Sequence, residues 1–154
     1  RSRNTEDVDL FIEKINKKKF LDFWKELEKE GFECINTSNP IDAYDSYLND
    51  GLALRFAVKG TFIPNFELKF PKTKYNIYSL KHKIEVTLNN EIINTSEMEM
   101  QIAFKLKLGS EKDFEDARHL YKVFKEHLNI GLLRNQISEL EVEKEAEKIL
   151  WKKA

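Results

Sequence analysis

Apolar and polar residues alternate singly in DVDLFIE near the start of the chain: Val8, Leu10 and Ile12 point one way, Asp7, Asp9 and Phe11 the other. That is the period of a strand. The period then lengthens. In KKKFLDFWKELEKEG, Phe20, Phe23, Trp24 and Leu27 form one helical stripe, with Gly31 as the stop. FECIN reads as a short strand, and PIDAYDSYLNDG as a helix with Pro40 near its first turn. LALRFAVKG and FIPNFELKF read as strands joined near Gly60, and TKYNIYSLK as a short helix. HKIEVTL and EIIN are strands around an Asn-Asn turn.

From there the pattern is helical. TSEMEMQIAFKLKLG offers Ser96 as N-cap with Glu99 three residues on, a capping box. SEKDFEDARHLYKVFKEHL repeats the device with Ser110 and Asp113. In IGLLRNQISELEVEKEAEKILWKK, Leu133, Ile137, Leu140 and Ile149 keep helical spacing to the end. Strands first and helices last define an α+β fold, with a sheet region over 1–95 and a helical C-terminal part of the same domain over 96–154. The pattern predicts Asp7 to Ile12 paired with FELKF in one sheet. It also predicts the Ser96 and Ser110 helices packed through Phe104, Leu108, Leu120 and Phe124.

Composition narrows the picture. The chain has 154 residues, 41% hydrophobic and 34% charged, enough for one domain with a real core. Basic and acidic residues number 26 and 27, so charge balance gives no nucleic-acid or membrane signature. A single cysteine, Cys34, excludes an intrachain disulfide framework and a cysteine-built zinc site, and points to a reducing, cytoplasmic setting. No apolar run is long enough to span a membrane.

The candidate chemistry lies in the carboxylates. Alternate residues of a strand share a face, so Asp7 and Asp9 project together, roughly 7 Å apart. Two ionised carboxylates that close repel unless a cation lies with them. Oxygen ligands suit Mg²⁺, and a third acid from a neighbouring strand completes a site for phosphoryl-group chemistry. The plain alternative is a strand end with two solvated acids. Two basic clusters, Lys17 to Lys19 and Lys69, Lys72, Lys74, Lys81 and Lys83, the latter interleaved with Phe70, Tyr75 and Tyr78, suit either an RNA backbone or a soluble surface. His82, His119 and His127 have no partners at metal-ligand spacing. Lys105, among Phe104, Leu106 and Leu108, reads equally as a snorkelling lysine. Asp113 reads equally as a helix-capping acid.

Two stretches carry a family resemblance. RSRNTEDVDLFI resembles the catalytic strand of the nucleotidyltransferase superfamily, in which an Arg, a Ser or Thr, and a D-x-D follow a glycine-rich turn and a short helix. SEMEMQIAFKLKLGSEKDFEDARHLY resembles the helical segment of the minimal and abortive-infection toxin (AbiEii-like) branch: a Lys in an apolar helix, here Lys105, then K/R-D-x-x-D, here Lys112, Asp113 and Asp116. The resemblance implies a mixed sheet flanked by helices, Mg²⁺ or Mn²⁺, and a nucleoside triphosphate donating a nucleotidyl group to a hydroxyl on RNA or protein. It also implies an antitoxin protein as partner.

By the same resemblance, Asp7 and Asp9 are metal ligands, Arg3 and Thr5 contact the nucleotide, and Lys105 and Asp113 stand at the rim of the site. A third acid should come from a later strand and help to deprotonate the acceptor hydroxyl. Glu67 in FELKF and Glu85 in KIEVTL share the required alternation; Glu67 is preferred for its place in the middle of the sheet region. The family's G-[GS] motif, whose backbone N–H groups hold the triphosphate, belongs about ten residues before Asp7, upstream of Arg1. Without that motif, the fold would serve as an inactive binding module for nucleic acid or protein.

Overall fold

The computed structural model describes residues 7–151; Arg3 and Thr5 lie outside them. The chain divides into two compact units between Leu80 and Lys81.

The first unit is built on a four-stranded mixed sheet in the order β1-β4-β3-β2: β1 (Asp7–Phe11), β2 (Phe32–Cys34), β3 (Leu54–Val58) and β4 (Asn65–Lys69). β1 runs parallel to β4, and the other pairs are antiparallel. Helix α1 (Lys17–Lys29) begins where the Asn16 side chain accepts from the backbone N–H of Lys19, and Gly31, at φ +82°, makes the left-handed turn into β2. Helix α2 starts at Pro40–Asp42 and continues as a wider π-helical segment, Ala43–Leu48. Helix α3 (Lys74–Lys81) follows β4.

Alternation sorts the sheet into two faces. Phe20 and Trp24 of α1 and Tyr44 and Leu48 of the α2 segment cover Leu54, Phe56, Leu68 and Phe70. Phe20, Leu48, Leu54, Phe56 and Leu68 are fully buried. At about 1.5–3 kcal/mol per buried side chain, this one face supplies the unit's main driving force. Aromatic edges tie the layers together: Trp24 lies T-shaped on Phe56, which stacks on Phe66. The opposite face is left to Asp7, Asp9, Arg55, Glu67 and Lys69, as the FELKF pattern predicts.

The second unit opens with an antiparallel hairpin, β5 (Lys83–Leu88) and β6 (Glu91–Ser96), so the hairpin lies with the helices rather than with the sheet. Asn89 and Asn90 both take positive φ, +50° and +67°, as a two-residue turn of matching twist requires. Helices α4 (Met98–Leu108), α5 (Glu111–Phe124) and α6 (Ile130–Glu139) follow. Then come α7 (Glu143–Ala146) and a π-helical end, Glu147–Trp151, where the Arg134 guanidinium lies 4.4 Å from the Trp151 ring centre.

Three local expectations change. Ser96 does not cap α4, because it is still paired with Lys83 in the hairpin; Glu97 takes the cap position without a side-chain bond. Glu99, freed from a capping box, is buried and accepts from the backbone N–H of Asn129 at 2.7 Å. α4 and α5 do pack together, but Leu108 is exposed, and Glu99, Met100, Ile102, Ala103, Leu106 and Ala117 are the buried residues of the two helices. Finally, the closing helix is broken. Glu141 turns left-handed at φ +57°, and the Val142 N–H reaches back to the Ile137 carbonyl. The turn lets Leu140 and Val142 both be buried, which a straight helix would point in different directions.

Candidate functional site

The register of β1 on β4 places the acids. Asp9 is the partner of Glu67, and Asp7 is the partner of Asn65. On the other side of β4, Glu67 is the partner of Arg55. Partners share a face, so Asp9, Glu67 and Arg55 form one row across the sheet, with Asp7 and Lys69 two residues away on the same side. Glu85, the alternative third acid, lies on the hairpin of the second unit, in a different sheet.

The acids do not stand bare, contrary to the repulsion expected of a metal-free cluster. Arg55 donates to Glu67 Oε1 from Nε at 2.7 Å and from its terminal nitrogen at 2.6 Å. Lys69 Nζ lies 2.5 Å from Asp9 Oδ1 and 3.9 Å from Glu67 Oε2. The same ammonium is 5.5 Å from the ring centre of Phe11, its register partner. The two pairs differ in worth. The Glu67 side chain is only 16% exposed and takes two donors, whereas that of Asp9 is 65% exposed. Lys69 itself is 28% exposed, less than Arg55 at 55%, so exposure does not single it out as the looser cation.

Asn65 adds a further oxygen. Its Nδ2 donates to the Phe62 carbonyl at 3.2 Å, which fixes the amide, and its buried Oδ1 has no partner among the described residues. Asp7, Asp9, Glu67 and Asn65 hold register positions on one face of the sheet. Among the described residues, no group of three or more acids, histidines or cysteines could hold a metal ion.

Lys105 and Asp113 also come together, within the second unit. Lys105 Nζ is 3.0 Å from Asp113 Oδ1 and 3.1 Å from Asp116 Oδ2. The Ser110 hydroxyl donates to Asp113 Oδ2 at 2.5 Å and accepts from the Asp113 N–H at 3.1 Å. The bond from Ser110 holds the Asp113 carboxyl below the usual carboxylate range; burial opposes this, and Lys105 reinforces it. Burial alone would pull Lys105 down, but its bonds to Asp113 and Asp116 outweigh that and raise it. Lys105 of α4 and the two aspartates of D-x-x-D, Asp113 and Asp116, therefore form an ion cluster that fastens α4 to α5.

Arg55 and Lys69 are the site residues that pattern reading missed. Arg55 alternates with the core residues Leu54 and Phe56, which put it on the acid face. Lys69 was grouped with a basic run, yet its parity with Glu67 carried the same information. Of that run, Lys74 lies 4.9 Å from the Tyr75 ring centre. Among the described residues no helix is long and apolar enough to cross a membrane.

The fold is similar to that of an antigenic nucleotidyltransferase-like protein from Paracoccidioides brasiliensis, at 16% identity and a TM-score of 0.47, over 94% of this chain and 74% of that one. No family model and no curated protein matches the sequence.

Proposed function

We propose that this chain is a nucleotidyltransferase-like protein that moves a nucleotidyl group from a nucleoside triphosphate to a hydroxyl of RNA or protein, breaking the α–β phosphoanhydride bond and releasing pyrophosphate, using Mg²⁺ or Mn²⁺ that Asp7, Asp9 and Glu67 would hold. The observation that carries this reading is the register of β1 on β4, which sets Asp9 beside Glu67 and keeps Asp7 on the same face. A divalent cation at these oxygens would supply charge neutralisation and polarise the reacting phosphoryl group. Glu67, whose Oε2 is not taken by Arg55, accepts the proton of the acceptor hydroxyl. Arg55 fixes the Glu67 carboxylate from the neighbouring strand. Lys105 and Asp113, read as rim residues, act by holding α4 against α5. Arg3 and Thr5 serve the triphosphate, and a toxin role with a protein antitoxin belongs to the same reading. The test is incubation of the full chain with labelled nucleoside triphosphates, Mg²⁺ and RNA or protein acceptors. Transfer lost in Asp9→Asn and Glu67→Gln supports it, and no transfer to any acceptor opposes it.

A second reading is favoured by one observation: Arg55 and Lys69 already neutralise the acids. On that reading the fold is a binding module that needs no metal and does no chemistry.

A further inference from the structure

We infer that a cavity of the second unit is a binding site for an organic amine, with the ammonium group on Glu99 and an apolar body against the β5–β6 hairpin. The inference stands apart from the carboxylates of the β1–β4 face and from any metal.

The cavity measures about 770 Å³, within the usual range for a small-molecule site. One side of its lining is the hairpin. Val86 is the register partner of Ile93, and Ile84 that of Thr95, so the four share one face. That face is fastened to α4 at one corner: Gln101 Nε2 donates to Thr95 Oγ1 at 3.1 Å and to the Ser96 carbonyl at 3.0 Å. The helical side of the lining includes Phe124, at the end of α5, with Leu128 and Leu132. Ile84, Val86 and Ile93 are 39%, 38% and 46% exposed, so the helices cover this apolar face only in part.

Glu99 stands within that apolar lining, nearly out of water. Its Oε1 accepts from the Asn129 N–H; among the described residues no bond to Oε2 and no ion pair to either oxygen is seen. A carboxylate held by one neutral donor keeps capacity for further donors, and a buried charge is costly until it is paired. An ammonium group entering the cavity supplies both the donors and the counter-charge. Glu97 is a second acid of the lining, against one base, His127. The sign of the lining therefore selects. Phosphates and carboxylates meet repulsion, a neutral apolar molecule gains only the walls, and an amine gains the walls and Glu99.

The test uses the full chain with methyl-labelled isoleucine and three probes of one length: octylamine, octanol and octanoate. The methyl resonances of Ile84 and Ile93 should shift with octylamine, while that of Ile77, in α3 of the first unit, should not. Octylamine should bind about tenfold more tightly than octanol, the worth of a charge-assisted hydrogen bond, and octanoate should bind least. Glu99→Gln keeps an oxygen for the Asn129 N–H and should erase the preference for the amine. Ile93→Lys, at a half-exposed position, sets an ammonium group in the cavity and should weaken octylamine binding several-fold. Ile92→Lys, the same change on the opposite face of the hairpin, should bind as the parent does. Octylamine bound by the parent no more tightly than octanol, or bound equally by the two lysine variants, overturns the inference, and so does an absence of shifts at Ile84 and Ile93.

Discussion

Asp9 and Glu67 are register partners across the parallel β1–β4 ladder, and a lysine from the same strand as Glu67 lies against both. The acids come from distant parts of the sequence, while their counter-ions come from β3 and β4. The state of charge on this sheet face is thus set by side chains of the sheet itself.

A first expectation concerns metal-dependent stability. Binding to the folded state alone stabilises by about 2.7 kcal/mol at a hundredfold excess over the dissociation constant, so the melting temperature should climb by several degrees with Mg²⁺ or Mn²⁺. Asp9→Asn and Glu67→Gln should flatten that titration. Glu85→Gln, on the separate hairpin, should leave it unchanged. A metal response lost in the Glu85 variant and kept in the Glu67 variant would reverse the assignment of the third acid.

Without metal, Asp7→Asn and Asp9→Asn should differ. Asp9 is paired with Lys69, so its neutralisation should cost about 0–1 kcal/mol. No ion pair to Asp7 is seen among the described residues, and its neutralisation should be neutral or slightly stabilising. Urea denaturation of both variants in chelator checks the order; a larger loss for Asp7→Asn would contradict the observed pairing.

The α4–α5 ion cluster should show in the pH dependence of stability. Asp113 has its folded value lowered, so its contribution is present above the unfolded carboxylate range and is lost as pH falls through the folded value. Lys105 has its folded value raised. Its contribution is present below the ordinary lysine value and is lost as pH rises through the folded one. Ser110→Ala should cost about 1 kcal/mol at neutral pH. It should also move the acid limb toward higher pH, because the Ser110 bond is the main cause of the Asp113 shift. An unchanged acid limb would show that the cluster does not act in solution as its geometry implies.

Glu99 offers a stability test apart from the charged faces. It is 8% exposed and accepts from the Asn129 N–H at 2.7 Å, while Asn129 itself caps α6 by accepting from Leu132. Glu99→Ala should leave that N–H unsatisfied and cost about 1–3 kcal/mol, with Glu99→Gln recovering most of it. Equal losses in the two variants would assign the effect to the charge of the carboxylate rather than to the neutral hydrogen bond or the packing.

Much of this could be read from the sequence, for a physical reason in each case. Strict alternation in DVDLFIE and NFELKF gave the faces of β1 and β4, because the side-chain period of a strand leaves no other arrangement once Leu68 and Phe70 are inside. The Ser110 cap was legible because its partners lie within one turn. Ser96 misled because the cap rule is local, while the pairing of Ser96 with Lys83 is not. The break at Glu141 escaped notice because its cause is the burial of Leu140 and Val142 against other helices, which helical spacing alone does not contain. Arg55 and Lys69 were missed as site residues for a similar reason: which cation meets which acid depends on cross-strand register.

The placement of the aromatic residues also has an optical consequence. Trp24 is buried in the core of the first unit, and Trp151 lies against Arg134 in the second. These are the two tryptophans of the chain. Each unit therefore carries its own fluorophore, one in an apolar interior and one beside a guanidinium. Replacing either by phenylalanine leaves a single-colour probe of the other unit, and comparing the two melts would report whether the halves of this chain unfold in concert or in succession.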